Sequence, residues 1–401
     1  MERTSSGNPV GNAVIGQAGG PTAVINQSLV GVIEGLRGQI EIRKIFGMKH
    51  GVTGLINDDL IDLTKLHEGR LGAVAATPSA ALGSTRDKPD EQSCSRIFEA
   101  CSRHGIHYFF YIGGNDSADT CRIVNEMADE AGYELRCFHI PKTIDNDLPH
   151  SDHTPGYPSA AKFVAQAFMG DNLDNRALPG IKINIVMGRH AGWLTAASAL
   201  ARQQAGDGPH LIYLPEVAFD ENEFVESVAD CYEKHRRCLI AASEGIHDGE
   251  GTPITKRIAA SLDRDAHGNL QLSGTGALGD HLSQLVKKTI PRARVRADTF
   301  GYLQRSFCGC VSEVDADEAR RAGQAAAEFA LDGDLDGSIV IKRVNNFPYE
   351  AKMDRVGLRQ VAAQTRTLDA EFIEGAHNVS DAFVQYLKPL VGKLPVIGRL
   401  Y

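Results

Sequence analysis

The stretch Cys137-Phe138-His139-Ile140-Pro141-Lys142-Thr143-Ile144-Asp145-Asn146-Asp147-Leu148 decides how this chain is read. An apolar run leads into a lysine, and two carboxylates follow it three and five positions later. Short apolar runs of this kind are buried strands, and ligands bind at the carboxyl ends of strands in open α/β sheets. A carboxylate placed there can take a proton from a hydroxyl group, and a lysine can neutralise a transferring phosphoryl group.

Working outward, the first 250 residues alternate apolar runs with amphipathic segments. Strands are expected at 12–16, 40–46, 71–76, 108–112, 136–140, 181–187, 210–214 and 238–242, with helices at 23–36, 94–104, 119–131 and 221–235. That alternation predicts an α/β fold, two lobes of parallel-rich sheet flanked by helices. The tail reads differently, with an Ala-rich helix at 315–331, a strand at 338–343 and a mixed remainder. The expected division is 1–150 for a first lobe, 151–310 for a second, and 311–401 for a C-terminal segment packing back on the lobes.

The chain has 401 residues, enough for two or three domains. A net charge of −9 argues against general nucleic-acid binding, so any phosphate site must gather its cations locally. There is no run of 18 apolar residues and no apolar core near the N-terminus, so neither a membrane span nor export is expected, and the location is read as cytoplasmic. The eight cysteines form no CxxC pair and are read as reduced thiols.

Several turns carry chemistry-bearing residues. Gly19-Gly20-Pro21-Thr22 and Gly113-Gly114-Asn115-Asp116-Ser117 each follow a predicted strand, where glycines let backbone N–H groups approach an anion. Either could equally be a tight turn or a helix cap. Leu82-Gly83-Ser84-Thr85-Arg86 adds an arginine that alone reads as a surface residue. Met187-Gly188-Arg189-His190-Ala191-Gly192 offers a glycine and an arginine able to fork onto phosphate oxygens. Glu244-Gly245 could accept hydrogen bonds from hydroxyls or could cap. Arg292, Arg294 and Arg296 alternate and would share one face of a strand, just before Tyr302-Leu303-Gln304-Arg305. His139 and His190 are read as structural.

These pieces, in this order and together with Pro215-Glu216-Val217, resemble the phosphofructokinase family over about residues 16–305. The resemblance implies two α/β lobes with the active site between them, Mg2+ as cofactor, and a homodimer or homotetramer that binds no nucleic acid and no membrane. It implies that Asp145 is the general base, with Thr143, Ile144 and Asp147 beside the transferring phosphoryl group. Gly20 and Arg86 would contact the donor phosphates, and Met187, Gly188 and Arg189 the substrate and transition state. Glu244, Tyr302, Leu303, Gln304 and Arg305 would line the sugar-phosphate pocket, and Arg296 would reach across a subunit interface. Asn115, Asp116 and Asp147 would bind the metal.

Within the family, members using ATP typically carry glycine at the places of Asp116 and Lys142, and members using diphosphate carry aspartate and lysine. The residues present imply a glycolytic transfer from diphosphate to the C1 hydroxyl of fructose 6-phosphate, with Asp116, Lys142, Asp145 and Arg189 as its catalytic set. A carboxylate where the α-phosphate of ATP would lie repels it, and a lysine attracts the small inorganic donor. Pro21 stands where ATP users usually have aspartate. Two positions depart from the pattern: Asn115 replaces a usual aspartate, and the arginine expected before residues 181–187 is missing, with Gly180 and Lys182 nearby. An ATP-dependent kinase and a non-catalytic sugar-phosphate-binding subunit remain the alternatives.

Overall fold

The apolar runs near 12–16, 108–112 and 136–140 pair with one another in parallel, which buries both of their faces and explains why they do not alternate with polar residues. In the computed structural model, which describes residues 3–4, 7–87, 90–258 and 276–400, the first part of the chain runs as follows. It comprises β1 (Gly11–Gln17), α1 (Ile25–Leu36), β2 (Ile42–Met48), α2 (Val52–Ile56), β3 (Leu60–Asp62), α3 (Glu68–Ala75), α4 (Glu91–Arg103), β4 (Ile106–Gly113), α5 (Asn115–Glu130) and β5 (Arg136–Pro141). Neighbouring residues of these strands face opposite ways. Ile15, Phe110 and Phe138 pack with α1 and α3, whereas Val14, Phe109 and Cys137 pack with α2, α4 and α5.

One expected strand is a helix. Residues 71–76 fall largely in α3, where Leu71 and Ala75 are buried while Gly72 and Ala73 are exposed. Burial four residues apart is helical spacing, and His67 caps the helix by accepting the Gly69 amide at 3.1 Å.

The next elements are α6 (Tyr157–Ala177), β6 (Ile181–Val186), α7 (Trp193–Ala197), β7 (Leu211–Tyr213), α8 (Glu221–His235), β8 (Cys238–Ser243), α9 (Ile254–Ile258), α10 (Ala277–Thr289) and β9 (Val295–Thr299). The four strands form a parallel sheet in the order β7-β8-β6-β9. The helix α6 was not among the expected elements, although residues 157, 160, 161, 164, 165, 168 and 169 are all buried. Its stripe is carried partly by alanines, which mark a core face weakly.

The tail is shared between two compact units, Met1–Ser159 with Arg305–Arg366, and Ala160–Gln304 with Thr367–Tyr401. The first unit takes α11 (Glu313–Leu331), β10 (Asp336–Asn346) and β11 (Tyr349–Val356). β10 adds in parallel to β5, giving a seven-stranded sheet in the order β11-β10-β5-β4-β1-β2-β3. α11 packs on α1 through glycines: a Cβ on Gly31 would lie 2.0 Å from the Arg320 carbonyl oxygen, and one on Gly323 would lie 2.2 Å from that of Ser28. The second unit takes β12 (Ile373–Glu374), β13 (Asn378–Val379) and α12 (Asp381–Val391), whose Phe383 and Tyr386 surround the buried Trp193. Among the described residues, no helix is long and apolar enough to cross a membrane.

Candidate active site

In the first unit the decisive stretch leaves β5 as a loop tied at both ends. The Lys142 amide donates to Gly113 O at 2.9 Å and the Thr143 amide to Pro155 O at 3.2 Å. Thr154 returns the tie, its hydroxyl donating to Thr143 O at 2.9 Å. The centre turns through Asn146, buried at φ +55, whose side-chain oxygen accepts the Thr154 amide at 2.9 Å. Asparagine tolerates that left-handed backbone better than most residues. Thr143 Oγ1 accepts the Asp145 amide at 3.1 Å, and its hydroxyl also stabilises the Asp147 carboxylate. The loop therefore presents Asp145 and Asp147, both half-buried, on a defined backbone.

Lys142 is only 3% exposed. Its ammonium donates to Gly20 O at 2.7 Å and lies 3.0 Å from where a Cβ on Gly19 would be. Gly19 itself has φ +73, so the turn needs glycine both for its backbone and for the lysine's approach. The guanidinium carbon of Arg305 lies equally close to the Cβ position of Gly20. Burial is the main force bringing the Lys142 pKa down from 10.5 to about 7; Arg305 and Arg86 push the same way, and Asp145 and Asp147 oppose them. Burial likewise raises the Asp147 carboxyl above its usual range, against its own amide, Thr143, Arg366 and Lys142. The first unit thus gathers Gly20, Arg86, Lys142, Asp145, Asp147 and Arg305 around one charged centre.

The second glycine turn starts α5. A Cβ on Gly113 would lie 2.0 Å from Ser117 Oγ, so the turn closes only with glycine there. Asn115 Oδ1 accepts the Asp116 amide at 2.9 Å, and the Asp116 side chain is exposed in the helix's first turn. The side-chain oxygens of Asn115, Asp116 and Asp147 are of the donor type that suits a hard cation such as Mg2+, and the burial-raised Asp147 is a carboxylate that a cation would stabilise. His139 is structural: its ring nitrogens sit 2.8 Å from Ser338 Oγ and 2.9 Å from Gly113 O, and burial lowers its pKa to about 4.

A different cluster, His210, Cys231 and Cys238, places its ligand atoms within 4.8 Å of one another. His210 Nδ1 already accepts the Leu239 amide at 2.9 Å, which leaves the proton of a neutral ring on Nε2. That soft donor set is unsuited to magnesium.

In the second unit, Met187 and Gly188 are buried and Arg189 is exposed at the end of β6. Gly188 sits at φ +146 and its carbonyl accepts from Ser243 Oγ at 2.6 Å. A Cβ on Gly245 would lie 2.1 Å from Arg189 O, so the Glu244-Gly245 turn and the Arg189 loop are packed backbone to backbone. Glu216, from the Pro-Glu-Val segment, accepts the Gly192 and Leu368 amides at 2.8 Å each, and burial raises its pKa. Glu244 is buried.

The arginine trio does not form the expected face. Only Arg296 lies in β9; Arg292 and Arg294 precede the strand, where the Ala293 amide closes a turn onto Ile290 O at 3.0 Å. All three are exposed. Lys182 pairs with Asp298. Tyr302 and Leu303 are exposed, whereas Gln304 is buried with its amide donating to Gly301 O at 2.8 Å within its own turn. Sequence reading left Glu216 without a role and passed over Arg366, which no motif marks.

The family model described as Phosphofructokinase matches residues 12–330. A protein of Rhodospirillum rubrum named pyrophosphate–fructose 6-phosphate 1-phosphotransferase is 54% identical over 392 residues, covering 97% of this chain and 96% of its own. One of the same name from Halomonas elongata is 36% identical, covering 95% and 91%. The crystal structure of a pyrophosphate-dependent phosphofructokinase from Nitrosospira multiformis superposes with a TM-score of 0.85 at 33% identity, covering 97% of this chain and 93% of that one.

Proposed function

This chain belongs to the phosphofructokinase family, and from that premise we propose that it transfers a phosphoryl group reversibly from diphosphate to the C1 hydroxyl of fructose 6-phosphate. The observation that carries the choice of donor is the Lys142 ammonium, buried against the Gly19-Gly20 turn and flanked by Arg86 and Arg305. A buried cation there supplies charge to a donor that brings no nucleoside contacts, while Asp116 opposes the extra phosphate of a nucleotide.

In this reading Asp145 accepts the proton of the C1 hydroxyl as that oxygen attacks the terminal phosphorus. The bridging P–O bond breaks, inorganic phosphate departs, and fructose 1,6-bisphosphate carries the new ester bond. Lys142, Arg86 and Arg305 stabilise the charge spread over the transferring oxygens, and the Gly20 backbone admits them closely. Asp147, Asp116 and Asn115 would hold a magnesium ion, which neutralises phosphate charge when bound. In the second unit Arg189, Met187 and Gly188 contact substrate, Glu244 and Tyr302 recognise the sugar phosphate, and Arg296 serves a subunit contact in a cytoplasmic homo-oligomer. Leu303 and the inward-turned Gln304 shape the turn that carries Tyr302.

The test is a coupled assay with fructose 6-phosphate and magnesium, offering diphosphate and ATP separately. Turnover with diphosphate and little with ATP is expected; brisk turnover on ATP alone overturns the assignment.

A further inference from the structure

The loop 143–156 carries both carboxylates of the proposed mechanism, yet part of what holds it comes from far along the chain. Arg366 donates from Nε to Asn146 O at 3.0 Å and from its terminal nitrogen to Asp152 O at 2.6 Å. Its own backbone amide donates to Asp147 O at 2.8 Å. One residue thereby donates to three carbonyls of the loop. Just before it, Val361 and Ala362 pack on Leu148 and Ala118, so the same tail segment covers the loop's apolar side.

We propose that Arg366 is a positioning residue for phosphoryl transfer, holding the left-handed turn at Asn146 and with it the carboxylates on either side. A guanidinium can span two carbonyls that face it at different angles, and a lysine ammonium cannot match that fork. Without the fork, the Asn146 and Asp152 carbonyls lose the hydrogen bonds that Arg366 gives them, and the turn at φ +55, disfavoured on its own, relaxes. The reacting groups then shift, and a misplacement of about 1 Å costs on the order of 100-fold in rate. This inference rests on the proposed roles of Asp145 and Asp147.

The experiment compares the full chain with Arg366→Ala and Arg366→Lys under diphosphate, fructose 6-phosphate and magnesium, and measures amide hydrogen exchange over residues 143–156 without substrate. Arg366→Ala should lower kcat about 10- to 100-fold with both KM values within about threefold. Added guanidinium ion should restore part of kcat. Arg366→Lys, which keeps the charge and is the safer folder, should also lose kcat and show faster exchange confined to the loop. Unchanged kcat per folded molecule in both variants, or unchanged loop exchange, overturns the proposal. Should the unsubstituted protein not turn over diphosphate, the functional reading fails, and loop exchange still decides whether Arg366 holds the turn.

Discussion

Lys142→Met removes one buried charge while keeping an unbranched side chain of similar length. In the unliganded protein the Lys142 pKa falls from 10.5 to about 7, a penalty on the ammonium of about 5 kcal/mol at roughly 1.4 kcal/mol per pH unit. Diphosphate reverses this. A single opposite charge about 4 Å away at an effective dielectric near 20 contributes about 4 kcal/mol, so the bound donor restores the charged form. The titration should therefore appear in kcat/KM for diphosphate, which reports the free enzyme, and much less in kcat. Wild-type kcat/KM should fall above about pH 7, approaching a tenfold loss per pH unit. Lys142→Met should sit roughly 100- to 1,000-fold lower below that pH and lack the fall. The measured quantity is the ratio of wild type to variant between pH 6 and 9 at fixed magnesium, which cancels the donor's own titration. A ratio that stays constant across this range refutes the account of Lys142.

Asp145→Ala should lower kcat by about 100-fold or more in a steady-state assay, and near-normal turnover would remove it as the base. Gly245→Ala places a methyl 2.1 Å from the Arg189 carbonyl, and we expect KM for fructose 6-phosphate to rise at least about tenfold as that loop is displaced. An unchanged KM would detach Arg189 from substrate binding. Asp116→Gly with Lys142→Gly should weaken diphosphate use, and unaltered diphosphate kinetics in the double variant would count against the donor argument. In pH-dependent stability two groups oppose each other. His153, held between Asp152 and Glu318 at 2.7 and 2.5 Å, has its pKa raised from 6.5 to about 9, so its contribution is full below 6.5 and lost as pH rises through 9. Lys142, depressed to about 7, contributes in the opposite sense over the same window. Denaturant melts should therefore show stability falling from pH 7 to 9 in Lys142→Met and rising in His153→Gln; the same slope in both would contradict this pairing.

What the sequence made legible follows the range of the interactions. The strands ending at Gln17, Gly113 and Pro141 announce themselves by apolar runs, and the glycine turns beside them by composition, because both are local. Residues 71–76 misled because six small and apolar residues fit either period, and only the exposure of Gly72 and Ala73 decides between them. The helix at Tyr157–Ala177 was obscured by alanines on its buried stripe. That β10 extends the first sheet could not be read at all, since pairing with β5 joins segments some 200 residues apart and leaves no mark in either.

The same distinction runs through the candidate site. The groups proposed for it are named by residues 143–147 and their neighbours, but how those groups are held is not. Thr154 fixes the loop from eight residues past Asn146, and Arg366 from 220 residues past it. Lys142 is received by a turn more than 120 positions earlier, where Gly20 O accepts its ammonium and a Cβ on Gly19 would crowd it at 3.0 Å. A motif therefore specifies chemistry at the residues it names, and geometry at those residues depends on partners that carry no signature. Substitutions at Arg366, Thr154 or Gly19 should accordingly damage turnover as surely as substitutions inside the motif, while leaving the motif itself intact.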